Sequence, residues 1–194
     1  MKTLCDLCEF SVAFVAKLMI HTLNPDMMRN AFTFFLLLVI SGLAFAQEKP
    51  ITTFILIRHA EKDLTQSTSD PELSAEGRNR VTRLVDVLKK TDIHAIYSTP
   101  FKRTQQTVEP LASAKGLKVM PYQANKMDEI DNMLKLHAGG TVLLSGHSNT
   151  VPMIINYLMG EEKYKILDDG DYGNIIIVSV TERGKNAKVI WLRY

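Results

Sequence analysis

Two arginines and two histidines close three apolar stretches of this chain: Arg58-His59 in "LIRHAEK", Arg103 in "STPFKRTQQT", and His147 in "LLSGHSNT". Arginine carries a planar, permanently charged fork of donors that suits phosphate oxygens two at a time. Two such forks around one point make a dianion site and stabilise charge on a phosphoryl group in transfer. A neutral imidazole beside them is a nucleophile toward phosphorus. Its attack gives a phosphohistidine that water resolves, dividing one hard displacement into two easier ones. A second imidazole, held as a donor, adds to the anion pocket. This chemistry calls for no metal and no cofactor.

These residues act together only if the fold brings three distant segments to one edge. Phe54–Ile57 is a continuous apolar run of strand length and reads as a fully buried strand. "LSAEGRNRVTRLVDVLKK" reads as a helix with Ser74 at its N-cap and Glu76 in the first turn, where the helix dipole favours an acid. Val81, Leu84, Val85 and Leu88 recur at three and four residues and give it one core-facing stripe. "IHAIYSTP" is a second strand, stopped by Pro100. A helix follows in "FKRTQQTVEPLASAKG", with a kink expected at Pro110 and an end at Gly116.

"LKVMPY" reads as a short strand, "MDEIDNMLKLHAGG" as a helix, "TVLLSGH" as a strand and "NTVPMIINYLMG" as a helix. Asn149 and Thr150 stand where they can cap this last helix and aim its N-terminus at an anion. "NIIIVSV" and "AKVIWLRY" flank "TERGKN" as an antiparallel hairpin at a sheet edge. Alternation of apolar strands with amphipathic helices predicts an α/β domain: one mostly parallel sheet covered by helices on both faces. Such sheets bind ligands at the carboxyl ends of their strands, where Arg58, His59, Ser98-Thr99 and Gly146-His147-Ser148 fall. His94 and His137 lack a partner motif and read as surface or strand-edge residues. "DDGDYGN", Asp168 to Asn174, reads as a solvated loop, with a cation-holding turn as the alternative.

In order and spacing, "LIRHAEK", "STPFKRTQQT" and "LLSGHSNT" resemble the signature segments of the histidine phosphatase (phosphoglycerate mutase-like) superfamily, across nearly all of the chain after residue 46. The resemblance implies His59 as the nucleophile and Arg58, Arg103 and His147 as the rest of the phosphate pocket. Thr99 stands for the Ser four residues before the second Arg, as a further substrate contact beside Asn149, and Thr107 matches the family's trailing Thr. The shortness of the chain is similar to the small branch that includes phosphohistidine phosphatases. Ala60 replaces the family's Gly, and the Glu-x-x-x-Gly segment that carries a general acid in mutase-type members is not matched in "YQANKMDEIDNML". Glu61, Asp128 and Glu129 are the acids to consider for proton donation to the leaving group. If none serves, phosphoramidates and acyl phosphates are the favoured substrates.

The implied activity is that of a metal-independent phosphatase acting on a small phosphorylated substrate or a phosphoprotein. A mutase-like phosphotransferase and a catalytically weak phosphate-binding module are the alternatives. A net charge of +2 gives no electrostatic case for nucleic acid or an anionic membrane. Ahead of the catalytic segments, Arg29 precedes an apolar run, Ala31 to Phe45, that ends in Ala44-Phe45-Ala46. This is the pattern of a cleavable secretory signal, shorter than the roughly 20 residues of a spanning helix. The expected organisation is an N-terminal extension over 1–26, with the true start at Met27 or Met28, a signal peptide over 27–46 and a phosphatase domain over 47–194. The domain is then exported, to the periplasm or outside the cell; an uncleaved N-terminal anchor, and with it membrane attachment, is the alternative. Cys5 and Cys8 fall in the extension, and one Cys-x-x-Cys without a matched second pair does not make a metal site.

Overall fold

A computed structural model of the protein describes residues 24, 26, 29, 30, 32–34 and 49–194. The proposed extension and signal peptide, with the cleavage point after Ala46, fall almost entirely outside the described residues. The chain divides into two units, Met1–Glu48 and Lys49–Tyr194. The second carries every candidate residue.

Its elements run β1 (Thr52–Arg58), α1 (Ala75–Leu88), β2 (Ala95–Ser98), α2 (Lys102–Lys115), β3 (Val119–Pro121), α3 (Met127–Leu136), β4 (Thr141–Gly146), α4 (Thr150–Met159), β5 (Asn174–Val180) and β6 (Lys188–Arg193). The six strands form one sheet in the order β3-β2-β4-β1-β5-β6. The first four are mutually parallel, and the β5–β6 hairpin adds antiparallel against β1. This is the expected α/β architecture.

The period of two along β1 shows why helices cover both faces. Phe54 and Leu56 point to one side, into a core with Val142 and Leu144 of β4, Ile130 of α3 and Ile154 of α4. Ile55 and Ile57 point to the other, against Leu143 of β4, Leu84 of α1 and Leu111 of α2. A strand buried on both sides must be apolar at every position, which accounts for the unbroken run that ends at Arg58. Ser74 caps α1 through a bond from the Gly77 N–H. Gly116 and Gly160 end α2 and α4 with φ of +65° and +69°, the left-handed turn that glycine adopts without strain. α2 continues unbroken through Pro110.

Chain order and sheet order part company around β1 and β2. The chain leaves β1 for β2 and then β3, and returns to fill the gap between β1 and β2 with β4. The strand ends at this reversal are level: Arg58 pairs with Gly146, and Ser98 with Ser145. The polar residues that follow each of these strands are thereby brought to one crevice.

Candidate active site

Arg58, the last residue of β1, is 7% exposed. Its Nη1 donates to the carbonyl oxygens of Asp168 (2.7 Å) and Asp171 (3.3 Å), and its guanidinium lies over the Tyr172 ring, 4.2 Å from the centroid. The segment 168–174 is therefore not simply a solvated loop. The cation its backbone holds is a side chain of this same chain.

His59 is 5% exposed, with Nδ1 2.7 Å from the Ala60 carbonyl oxygen. A carbonyl only accepts, so Nδ1 carries the proton and Nε2 keeps its lone pair. Burial pushes the imidazole pKa down to about 3; the bond to Ala60 opposes this, while His147, Arg103 and Arg58 add to it. His59 is thus neutral at neutral pH, the state a nucleophile needs. The Ala60 peptide is itself pinned, its N–H donating to Thr107 Oγ1 at 3.0 Å and Thr107 donating to the Arg103 carbonyl at 2.7 Å. Thr107→Val leaves the buried Ala60 N–H without an acceptor. The expected cost is about 1–3 kcal/mol, read as a lower urea midpoint.

Arg103 sits in the first turn of α2, with Nη1 3.4 Å from Asp70 and its guanidinium over the Phe101 ring at 4.6 Å. Asp70 also accepts the Lys102 N–H at 3.0 Å, filling the N-terminal role that Phe101, at the cap position, has no side chain to fill. Arg103 Nη2 faces His147 Nδ1 at 3.5 Å. The other nitrogen of His147, Nε2, lies 3.0 Å from Thr99 Oγ1. Thr104 spends its proton on the Thr99 or Phe101 carbonyl, both 2.8 Å away, so Thr99 donates to Thr104 Oγ1 and accepts from His147 Nε2–H. His147 Nδ1 is then the atom that faces Arg103 and an incoming anion. Burial, reinforced by Arg103 and Arg58, lowers the His147 pKa to about 4. A bound dianion acts in the opposite direction and favours protonation at Nδ1.

Four rings line up across the crevice. His59 and His147 have centroids 5.3 Å apart, Phe101 meets His147 edge-on at 5.0 Å, and Tyr172 lies 6.1 Å from His59. The cavity they border measures about 860 Å³ and is also lined by Glu61, Lys62, Leu64, Ser148, Asn149 and Asp169. Among the described residues, no group of three His, Cys, Asp or Glu is placed to hold a metal. The guanidiniums of Arg58 and Arg103, with Lys62 at the cavity lining, supply the positive charge.

The structure gathers Arg58, His59, Arg103 and His147, as the sequence led one to expect, and corrects the roles of several others. Thr99 is 3% exposed and does not line the cavity; its hydroxyl orients His147. Asn149 lines the cavity but makes no capping bond: the Val151 N–H goes to the His147 carbonyl at 3.1 Å, and Pro152 has no N–H to offer. Asp128 and Glu129 lie in the first turn of α3 away from the cavity, and Glu129 accepts the Gln123 N–H instead. Glu61 reaches the cavity, yet Arg80 grips both of its oxygens. Burial alone would raise its pKa; the hydrogen bonds and charge of Arg80 outweigh that and hold it below the usual carboxylate range. An ionised carboxylate has no proton to give, so in this arrangement Glu61 is not poised as a general acid. His94 and His137 lie elsewhere, His94 accepting the Thr141 N–H and His137 paired with the Tyr97 hydroxyl. Asp70, Phe101 and Tyr172 were not foreseen. Only Phe101, directly before the Lys102-Arg103 helix start, sits close enough in sequence to have been suspected.

Both imidazoles titrate lower in the fold than their ordinary value of 6.5. Between those values the unfolded chain binds more protons, so folding stability is fully present above about pH 6.5 and is lost as pH falls toward 4 and then 3. Urea midpoints measured without phosphate from pH 7 to 4 are expected to fall through this window. His59→Asn should flatten the decline.

The family model of the histidine phosphatase superfamily (branch 1) matches residues 54–132. Phosphoserine phosphatase 1 of Hydrogenobacter thermophilus is 36% identical over 83 residues, which make up 40% of this chain and 38% of the relative's length. Mycobacterial glucosyl-3-phosphoglycerate phosphatase superposes with a TM-score of 0.60 at 14% identity, covering 74% of this chain and 98% of that one. The protein histidine phosphatase SixA, solved with tungstate, gives a TM-score of 0.60 at 18% identity, covering 73% and 96%. At such identities the solved structures establish the fold.

Proposed function

We propose that this chain, which belongs to branch 1 of the histidine phosphatase superfamily, is a metal-independent phosphatase that works through a phosphohistidine at His59. One observation carries the reading. The Nδ1–H of His59 is committed to the Ala60 carbonyl, which leaves the Nε2 lone pair free on a ring bordered by Arg58, Arg103 and His147. In the first half-reaction Nε2 forms a bond to phosphorus while the bond from phosphorus to the leaving group breaks. The arginines hold the equatorial oxygens, and His147 Nδ1 faces the same anion. In the second, water adds to phosphorus, the N–P bond breaks, and inorganic phosphate departs.

The acids of the cavity bear on the choice of substrate. Glu61 is ion-paired, while the side chains of Glu76 and Asp169 are 73% and 109% exposed. Substrates that need no proton from the enzyme, such as acyl and aryl phosphates or phosphoramidates already protonated on nitrogen, fit such a pocket better than alkyl phosphates. A neighbour named for protein histidine agrees with this preference and with a phosphoprotein as the partner, whereas a relative named for phosphoserine, itself an alkyl phosphate, supports only the coarser reading of a small phosphorylated compound.

For location we propose export after cleavage at Ala46. The support is the apolar run and the Ala44-Phe45-Ala46 pattern. N-terminal sequencing of the chain recovered from outside the cytoplasm is expected to begin at Gln47; recovery only with residues 27–46 attached would instead indicate an anchor.

The activity is tested by incubating the protein with p-nitrophenyl phosphate and EDTA, in the presence and absence of an alcohol acceptor. Stoichiometric release of inorganic phosphate supports hydrolysis. Transfer of most phosphoryl groups to the acceptor would make the protein a phosphotransferase, and loss of turnover in EDTA would make it a metalloenzyme.

A further inference from the structure

The phosphate pocket contains a carboxylate in a suggestive place, and the fold has immobilised it. Glu61 follows the nucleophile by two residues and lines the same cavity. Its backbone carbonyl accepts the Ser74 N–H at 2.9 Å, and α1 lies directly against it: a Cβ on Gly77 would stand 2.3 Å from that oxygen. Only a glycine lets the helix come so near. Three residues further along the helix, Arg80 is thereby delivered to the Glu61 side chain. Its Nε lies 2.7 and 2.9 Å from the two carboxylate oxygens, and Nη2 adds a further bond to Oε1.

This is not an ordinary surface ion pair. The side chains of Arg80 and Glu61 are 15% and 14% exposed. The guanidinium is also blocked from behind, where a Cβ on Gly173 would fall 2.6 Å from Nη1. Gly173 has φ of +81°, a conformation that keeps a side chain away from this position. The remaining carboxylates of the cavity stand in solvent, each about 4 Å from an arginine: Glu76 3.9 Å from Arg80, Asp169 4.0 Å from Arg58.

We propose that Arg80 is a specificity-determining residue: by clamping Glu61 it withholds the best-buried carboxylate of the pocket from proton transfer and restricts the enzyme to leaving groups that depart without a proton. The inference rests on the phosphatase reading above. Arg80 acts through Glu61 and touches neither substrate nor phosphate. The clamp also removes a mobile negative charge from beside the dianion site, which gives the arrangement a second advantage in substrate binding.

The test measures kcat/KM of the full chain in EDTA for p-nitrophenyl, phenyl and ethyl phosphate. Wild type is compared with Glu61→Gln, Arg80→Gln and the double variant. In wild type the ethyl ester is expected to trail the nitrophenyl ester by more than about 10²–10⁴-fold, the contribution that a positioned acid would otherwise make. Glu61→Gln should keep the wild-type dependence on the leaving group, because Glu61 donates no proton there. Arg80→Gln frees Glu61 to hold a proton and should raise the ratio of ethyl to nitrophenyl turnover about tenfold, a part of that contribution. The double variant should lose this gain.

A selective loss of ethyl phosphate turnover in Glu61→Gln would overturn the proposal by showing that Glu61 donates in wild type. It decides the matter even if Arg80→Gln does not fold. An active Arg80→Gln with an unchanged ratio would overturn it equally. Aryl turnover with a shallow dependence in wild type would refute this inference and leave the phosphatase reading standing, whereas a wild type inert toward all three esters and toward acetyl phosphate and phosphoramidate as well would refute both.

Discussion

His59→Ala is expected to reduce turnover of p-nitrophenyl phosphate by on the order of 10⁴-fold or more, the scale seen when the nucleophile of a covalent mechanism is deleted. Nothing else in the cavity substitutes for it. The remaining imidazole has its Nε2–H committed to Thr99 and its Nδ1 facing Arg103, so its lone pair is directed at a guanidinium rather than at phosphorus. The loss should appear in kcat, because the residues that bind phosphate are untouched. Inorganic phosphate is expected to bind the variant within about tenfold of wild type, with Arg58 and Arg103 still in place. Stability should be preserved or raised below pH 6.5, since a buried base whose protonation opposes folding has been removed. Steady-state kinetics, an anion-binding titration and a urea curve separate these three effects. Equal losses of binding and turnover would make His59 a binding residue and not a nucleophile.

Arg103→Leu ranks second, with an expected loss in kcat of about 10²–10³-fold, the cost of removing one preorganised donor from a developing charge. The side chain does more than bind. It neutralises Asp70 at 3.4 Å and faces His147 Nδ1 at 3.5 Å, so its removal leaves a carboxylate beside an anion site and a histidine without its neighbour. KM should therefore rise together with the fall in kcat. Arg103→Lys keeps the charge but not the planar fork, and is expected to recover binding more than rate. Folding should change little, because Asp70 continues to cap α2 through the Lys102 N–H. The comparison of kcat and KM across these two variants shows whether the fork or the charge alone is required.

The four central residues could be read in the sequence because each stands within a few residues of the end of an apolar run, or at the helix start directly behind one. Period and length place β1, β2 and β4, and their common direction follows from the helices between them. The parts that could not be read depend on long-range contacts without a residue signature. Arg58 is held by carbonyl oxygens of Asp168 and Asp171, about which side-chain chemistry says nothing. Asp70 meets Arg103 across 33 residues, and Glu61 meets Arg80 across 19, at spacings that belong to no helical or strand pattern. Glu61 was therefore a reasonable acid by position and an unsuitable one by its partner. Thr99 and Asn149 show a subtler limit. Sequence placed both at the pocket edge, but whether a hydroxyl faces the ligand or the residue behind it depends on a rotamer, and at Thr99 the Thr104 and His147 bonds decide it.

The measurement that tests the central claim most directly is capture of the covalent intermediate. The protein is mixed with p-nitrophenyl phosphate, quenched in alkali, where a phosphorus–nitrogen bond to histidine survives, and digested for mass spectrometry. The account predicts one phosphoryl group on the peptide that contains His59, present in wild type and absent from His59→Ala. A phosphoryl group on His147 or on any hydroxyl or carboxylate, or rapid turnover with no phosphorylated peptide at all, would contradict it.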